Sequence, residues 1–338
     1  MLKIKLVVFI VIFTCFFGYS QNPSSAFTRA GINKAHLGKY AAAIKDYNIA
    51  IEYDPLYKTA FMNRALAEAA LGRLPAAIKD YSKAISLSPN DPIIYFDRAI
   101  VYNSLGEYIQ SIKDYDKAIL LRPTYKMALL NRGISKKNLN DLEGAIKDYT
   151  KALTLDSKFA AAYFNRGNSK AAMKDWQGAI QDYDMTIRLD PKLERAYVSR
   201  GAAREELKDI QGAIQDYNHT IQLNPKDPLP YYDRAILNAT LNNNEESVKD
   251  FSIAIGLKRD YGKAFYGRGI VYYDLRAYES SLADFSKAIE LMPNDGRAYW
   301  YRADIKRLLH LQDPCADFYK SAQLGEVKAR EAIKKYCQ

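Results

Sequence analysis

Residues 58–91 read KTAFMNRALAEAALGRLPAAIKDYSKAISLSPND. In the second half, Ala77-Ile78, Tyr81 and Ala84-Ile85 fall at i, i+1, i+4, i+7 and i+8, which puts five side chains on one helical stripe. Gly72 separates the halves, and glycine accepts the left-handed conformation that ends a helix. Pro89 closes the second half, because proline has no amide donor and constrains the residue before it. The stretch predicts a helix, a tight turn and an antiparallel helix.

Working outward, the same pattern returns every 34 residues. Arginine keeps that step at Arg64, Arg98, Arg132, Arg166, Arg200, Arg234, Arg268 and Arg302. Aspartate keeps it at Asp46, Asp80, Asp114, Asp148, Asp182, Asp216, Asp250 and Asp284. Alignment on the arginine gives nine units: 24–57, 58–91, 92–125, 126–159, 160–193, 194–227, 228–261, 262–295 and 296–325. Position 4 of a unit is aromatic or Leu (Phe27, Phe61, Tyr95, Leu129, Tyr163, Tyr197, Tyr231, Phe265, Tyr299), and position 8 is Gly or Ala. Small residues at positions 8, 20 and 27 let helices approach, and the ring at position 24 fills the space between them. A fixed period of this size means stacked units, each too small to bury its own apolar face. An all-α solenoid is therefore expected, in place of the two globular domains that 338 residues would otherwise suggest. It argues against a single catalytic cleft.

These positions resemble the tetratricopeptide repeat family: aromatic at 4, Gly/Ala at 8, Gly at 15, aromatic or Leu at 17, Ala at 20, Tyr/Phe at 24, Ala at 27 and Pro at 32. The resemblance covers about residues 24–325. It departs at Ser157 and Arg259, which replace the proline, and at Asn242-Asn243-Asn244, which replaces a turn. The ninth unit is one residue short and has Pro314 at the start of its second helix. The resemblance implies an α-α superhelix whose first helices line a concave groove with positions 2, 5, 6, 9, 12 and 13. Carried over, position 5 gives Met62, Phe96, Leu130, Phe164, Val198, Tyr232, Tyr266 and Trp300; position 6 includes Asn63, Asn131 and Asn165. Aromatics offer pockets, and asparagine offers a donor and an acceptor to extended backbone. The implied peptide-binding groove is Met62, Asn63, Phe96, Leu130, Asn131, Phe164, Asn165, Tyr232, Tyr266 and Trp300. A family clamp for a terminal carboxylate needs Lys and Arg where this chain has Met62, Phe96 and Asp97, so it is not supported.

The N-terminus is of another kind. Lys3 and Lys5 precede an apolar run from Leu6 to Gly18, too short for the ~20 residues of a membrane-spanning helix. Gly18 and Ser20 are small residues two apart, so residues 1–20 read as a secretory signal peptide and 21–23 as a short leader. Loss of Lys3 and Lys5 lowers the formal charge from +10 to +8. The remaining charges alternate in sign, as in Lys79-Asp80 and Lys113-Asp114, which is the pattern of a solvated helix face and not of a phosphate-binding stripe. Nucleic acid is not expected as a partner, nor is a membrane span in the mature chain. Beyond the signal segment the cysteines are Cys315 and Cys337, a candidate disulfide in an exported protein. Gly325 as the hinge of a helix pair puts them roughly 15 and 18 Å from the turn, at nearly one height. Residues 326–338 read as a capping helix with Val327, Ala329, Ala332, Ile333 and Tyr336 inward.

The Arg/Asp period reads as a structural ladder that stitches helices together through arginine's donor fork. Its members are Arg64 through Arg302 and Asp80 through Asp284. No enzyme constellation emerges. His36, His219 and His310 lack metal-ligand spacing; Gly262 and Gly267 are followed by Arg268-Gly269 where a phosphate loop needs Lys-Ser/Thr. Asp182 and Asp184 open a calcium-loop pattern that Ile187 and Leu193 break. Asn218-His219-Thr220 and Asn238-Ala239-Thr240 match the glycosylation pattern inside helices. No catalytic, metal or cofactor site is expected. The function expected is a non-catalytic, exported (periplasmic, cell-envelope or secreted) scaffold binding a protein or peptide in its groove. The alternative is an envelope assembly component acting through its convex face and ends.

Overall fold

The structure, a computed structural model, describes residues 22–337. The segment read as a signal peptide lies outside the described residues. Two compact units divide the chain between Met173 and Lys174. The first holds α1 (Pro23–His36), α2 (Tyr40–Tyr53), α3 (Lys58–Ala70), α4 (Leu74–Leu87), α5 (Pro92–Ser104), α6 (Tyr108–Leu121), α7 (Lys126–Asn138), α8 (Leu142–Leu155) and α9 (Ala160–Ala172). The second holds α10 (Trp176–Leu189), α11 (Glu194–Glu206), α12 (Ile210–Leu223), α13 (Pro228–Thr240), α14 (Asn244–Leu257), α15 (Gly262–Asp274), α16 (Tyr278–Leu291), α17 (Gly296–Leu308), α18 (Pro314–Gln323) and α19 (Val327–Tyr336). The division falls inside residues 160–193, which the sequence presents as one repeat.

Within each unit every helix packs on its chain neighbours. First helices of successive pairs also touch, α1 with α3, α5 with α7, α7 with α9, and α13 with α15. The ring at position 24 is the centre of each pair: Tyr47, Tyr81, Tyr115 and Tyr149 are fully buried in the first unit, and Tyr183, Tyr217, Phe251, Phe285 and Phe318 in the second. The small residue at position 8 makes room for it. A Cβ on Gly133 would lie 2.5 Å from the Tyr149 ring, well inside van der Waals contact.

Helix starts are fixed by caps where the sequence supplies them. Asp91 accepts from the Ile93 amide ahead of Pro92, and Asp227 accepts from the Leu229 amide ahead of Pro228. The ends differ from the expectation in two ways. Gly38, Gly72 and Gly106 take positive φ as expected, but the equivalent residues further on are Asn140, Lys174, Lys208, Asn242 and Arg276, with φ between 59° and 63°. A left-handed non-glycine residue costs about 1–2 kcal/mol, so packing of the flanking helices holds the turns at Asn140, Lys208, Asn242 and Arg276, each within one unit. The Asn242 turn thus keeps the geometry of its neighbours. Nor is proline needed to end a second helix: α8 stops at Leu155 before Asp156-Ser157, where Asp156 Oδ1 accepts from the Lys158 amide.

Candidate functional site

The ladder occupies the inner side of the first helices. Arg98 Nε and Nη2 donate to the two oxygens of Asp114 on the following helix, each at 2.7 Å, and Nη1 donates to Ser82 on the preceding one at 2.8 Å. Arg64, with Asp80 and Asn48, and Arg268, with Asp284 and Ser252, repeat this three-helix tie. So do Arg132 with Asp148 and Asp116, Arg200 with Asp216 and Asp184, and Arg234 with Asp250 and Asn218. Arg166 donates to Thr150, and Asp182 is buried. Asp46 has no arginine across from it and takes Lys34 instead, at 2.7 Å. The sequence pattern leaves Arg302 without a partner. The structure supplies Asp317, 15 residues on where the other pairs use 16, because the ninth unit is one residue short. All three guanidinium nitrogens in a typical rung are engaged in the fold.

The position-5 residues expected to line a groove stand beside this frame, half-buried, and Leu130 is buried. Phe96 packs on Tyr115 and Tyr125 with centroids at 5.8 and 4.8 Å; Tyr232 packs on Phe251 and Tyr261 at 5.8 and 5.0 Å. Tyr266 meets Phe285 and Tyr301, and Trp300 meets Tyr301. Met62 and Phe164 are half-buried as well. These side chains form the floor of a surface and do not project from it. At position 6, Asn63 and Asn165 donate to the carbonyls of Thr59 and Ala161 in their own helices, and Asn131 is half-buried.

What projects is positions 2 and 9 of the first helices. Leu66 is 60% exposed, Ile93 39%, Ile100 40%, Leu229 43% and Ile236 39%. Between them sit two carboxylates. Asp97 lies at i+4 between Ile93 and Ile100 on α5, and Asp233 lies at i+4 between Leu229 and Ile236 on α13. Neither has a hydrogen-bond or ion-pair partner among the described residues. Burial raises the Asp97 carboxyl to about 6, with Asp91 adding to the effect. Burial raises Asp233 to about 7, helped by Glu205 and Asp227. Glu205 is itself raised by burial and accepts from the Tyr217 hydroxyl.

Among the described residues no group of three or more His, Cys, Asp or Glu is arranged to hold a metal, and no helix is long and apolar enough to cross a membrane. His219 packs on Tyr197. Gly267 makes room for the Phe251 ring, which a Cβ there would approach to 2.5 Å. Asn238 is buried and donates to Asp250. A cavity of about 330 Å³ opens at the first helices, between Ile32, Tyr40, Asn63 and Leu66. At the other end Gly325, with φ of 95°, turns α18 into α19, and Cys315 and Cys337 are disulfide-bonded with Cα atoms 5.6 Å apart. On α19 Ala329 is buried and Ala332 and Ile333 half-buried, but Val327 is 65% exposed and Tyr336 is also exposed. Val327 precedes Ala329 by two residues, roughly 200° around the helix, so it points away from that stripe. Tyr336 stands in the last turn, with the Arg307 guanidinium and the Lys335 ammonium over its ring at 4.7 and 5.1 Å.

Family models described as tetratricopeptide repeat match residues 28–92, 81–113, 136–174, 161–192, 194–227 and 262–295, together more than half the chain. No curated protein matches the sequence. Among solved structures, the C-terminal part of a repeat-containing protein from Cytophaga hutchinsonii aligns with TM-score 0.62 and 19% identity, over 70% of this chain and 97% of that one. A repeat protein from Parabacteroides merdae aligns with TM-score 0.56 and 18% identity, over 74% and 99%. YrrB, described as having an unusual peptide-binding site, aligns with TM-score 0.50 and 23% identity, over 54% and 95%. At these identities the likeness is one of fold.

Proposed function

The chain belongs to the tetratricopeptide repeat family, and on that premise we propose that it is an exported, non-catalytic scaffold that takes a protein or peptide segment on the exposed face of its first helices. The observation that carries this reading is the division of labour on those helices. The inner side is engaged in the ladder, whereas Leu66, Ile93, Ile100, Leu229 and Ile236 stay in water on the other side. Exposed aliphatic side chains in rows mark interaction surfaces. Export rests on the basic, apolar and small-residue order of residues 1–20. The test is capture of partners from an extract of the cells that make it. Ile100→Gln with Ile236→Gln should lose a partner that the unaltered chain retains, at unchanged helicity. Equal capture by both would reject the groove.

One observation favours a second reading. Ile109 and Leu120 on α6 are 60% and 72% exposed, and eleven residues apart they lie on one face of a second helix. That face suits assembly through the convex side. Ile109→Gln with Leu120→Gln should leave groove capture intact and break only such assembly.

A further inference from the structure

The segments 91–100 and 227–236 read DPIIYFDRAI and DPLPYYDRAI, 136 residues apart, one in each compact unit. Both cap a first helix with Asp-Pro and set an aspartate between two exposed aliphatic side chains. The identity extends to the floor. Phe96 packs on Tyr125, which carries the Arg122 guanidinium at 4.8 Å; Tyr232 packs on Tyr261, which carries the Lys258 ammonium at 5.1 Å. No other unit repeats the aliphatic–Asp–aliphatic stripe. Its position 6 is Asn63, Asn131, Asn165, Ser199, Gly267 or Tyr301 in the remaining units that keep the arginine. The fold therefore does not require an acid there.

We propose that these two stripes are matched subsites, each of which takes a lysine or arginine flanked by aliphatic residues in an extended segment of a partner protein. The proposal rests on the groove reading above and names the chemistry of its ligand. Charge complementarity carries it. Asp97 and Asp233 are half-buried acids over an aromatic floor, with no ion-pair partner among the described residues, whereas every ladder aspartate within a unit is paired. An incoming cation supplies the charge-assisted hydrogen bond that such a carboxylate lacks. Its aliphatic stem lies along Ile93 and Ile100, or Leu229 and Ile236, while its charge reaches the acid. The flanking aliphatics of the ligand meet the same exposed side chains. Burial, with Asp91 beside Asp97 and with Glu205 and Asp227 near Asp233, raises the affinity of both acids for a proton.

The experiment is selection of a phage-displayed dodecapeptide library on the full chain and on the double variant Asp97→Asn/Asp233→Asn. The unaltered chain should enrich Lys or Arg between aliphatic residues, and the double variant should not. A peptide so selected should lose about tenfold in affinity with the double variant, and should bind the exposed control Glu143→Gln as tightly as the unaltered chain. Binding should weaken with salt. Enrichment of any other class, no enrichment, or the same basic class on the double variant overturns the subsites. Asparagine is isosteric, and a circular dichroism melt separates lost binding from lost fold. Partner capture by the Ile100 and Ile236 variants decides the groove reading independently.

Discussion

Helices α5 and α9 occupy equivalent places in the first unit and present different surfaces. On α9, Asn165 donates to the Ala161 carbonyl of its own helix, between Ala161 and Asn168. On α5, Asp97 has no hydrogen-bond or ion-pair partner among the described residues and stands between Ile93 and Ile100. The positions that build the pairs barely vary between the two: Tyr95 and Tyr163, Arg98 and Arg166, and a small residue next to each arginine. One side of a first helix makes the fold and repeats; the other side is free to differ, and that difference is where recognition can reside.

The comparison predicts opposite responses from the two sides. The largest effect should come from Arg98→Ala, which leaves Asp114 buried without its bidentate partner; removal of one member of a buried pair costs about 3–5 kcal/mol. A denaturant titration showing less than about 1 kcal/mol would mean that the ladder is decoration. Next is Cys337→Ser. In the chain-entropy model opening a loop of this size removes about 3 kcal/mol, and here the loss should be confined to α18 and α19. Hydrogen exchange should report faster exchange there and no change in the first unit.

A smaller effect separates the acids by sign. Asp233 has a folded pKa raised by burial to about 7, above its unfolded value, so its ionisation costs stability that grows as pH rises from about 4 to 7. Asp233→Asn should therefore stabilise the free protein by about 1–2 kcal/mol at neutral pH, after allowance for partial exposure, and by nothing near pH 4. Asp317 is the converse. Burial pushes it up, but the bonds from Arg302 and Lys306 prevail and hold it below its ordinary value. Its contribution is present above the unfolded pKa and is lost as pH falls through the folded one, so Asp317→Asn should destabilise at neutral pH. Melts of both variants across this range check the pair. Equal signs would erase the distinction.

The helix pairs and the ring at their centre are legible in the sequence because period, glycine and aromatic spacing carry direct geometric meaning. Three things were not. Lys208 and Arg276 in left-handed turns have no compositional signal, since neighbouring helices impose them. The partner of Arg302 is hidden by a single missing residue that moves the acid to Asp317. The third is the exposure of the first helices: a repeat pattern says which way a side chain points but not how far Tyr125 or Tyr261 rises beside Phe96 or Tyr232, where Ile93, Ile100, Leu229 and Ile236 are the exposed side chains. Near-identity of 91–100 and 227–236 was visible throughout, but its meaning depends on knowing that Asp97 and Asp233 are unpaired.

The most direct test of the division between folding side and binding side is calorimetric titration of a Lys- or Arg-centred peptide into the unaltered chain and into Asp97→Asn/Asp233→Asn, with a thermal melt of each. The account predicts an affinity about tenfold weaker in the variant together with a melting temperature equal or higher at neutral pH. Unchanged affinity, or a melting temperature that falls with the affinity, would contradict it.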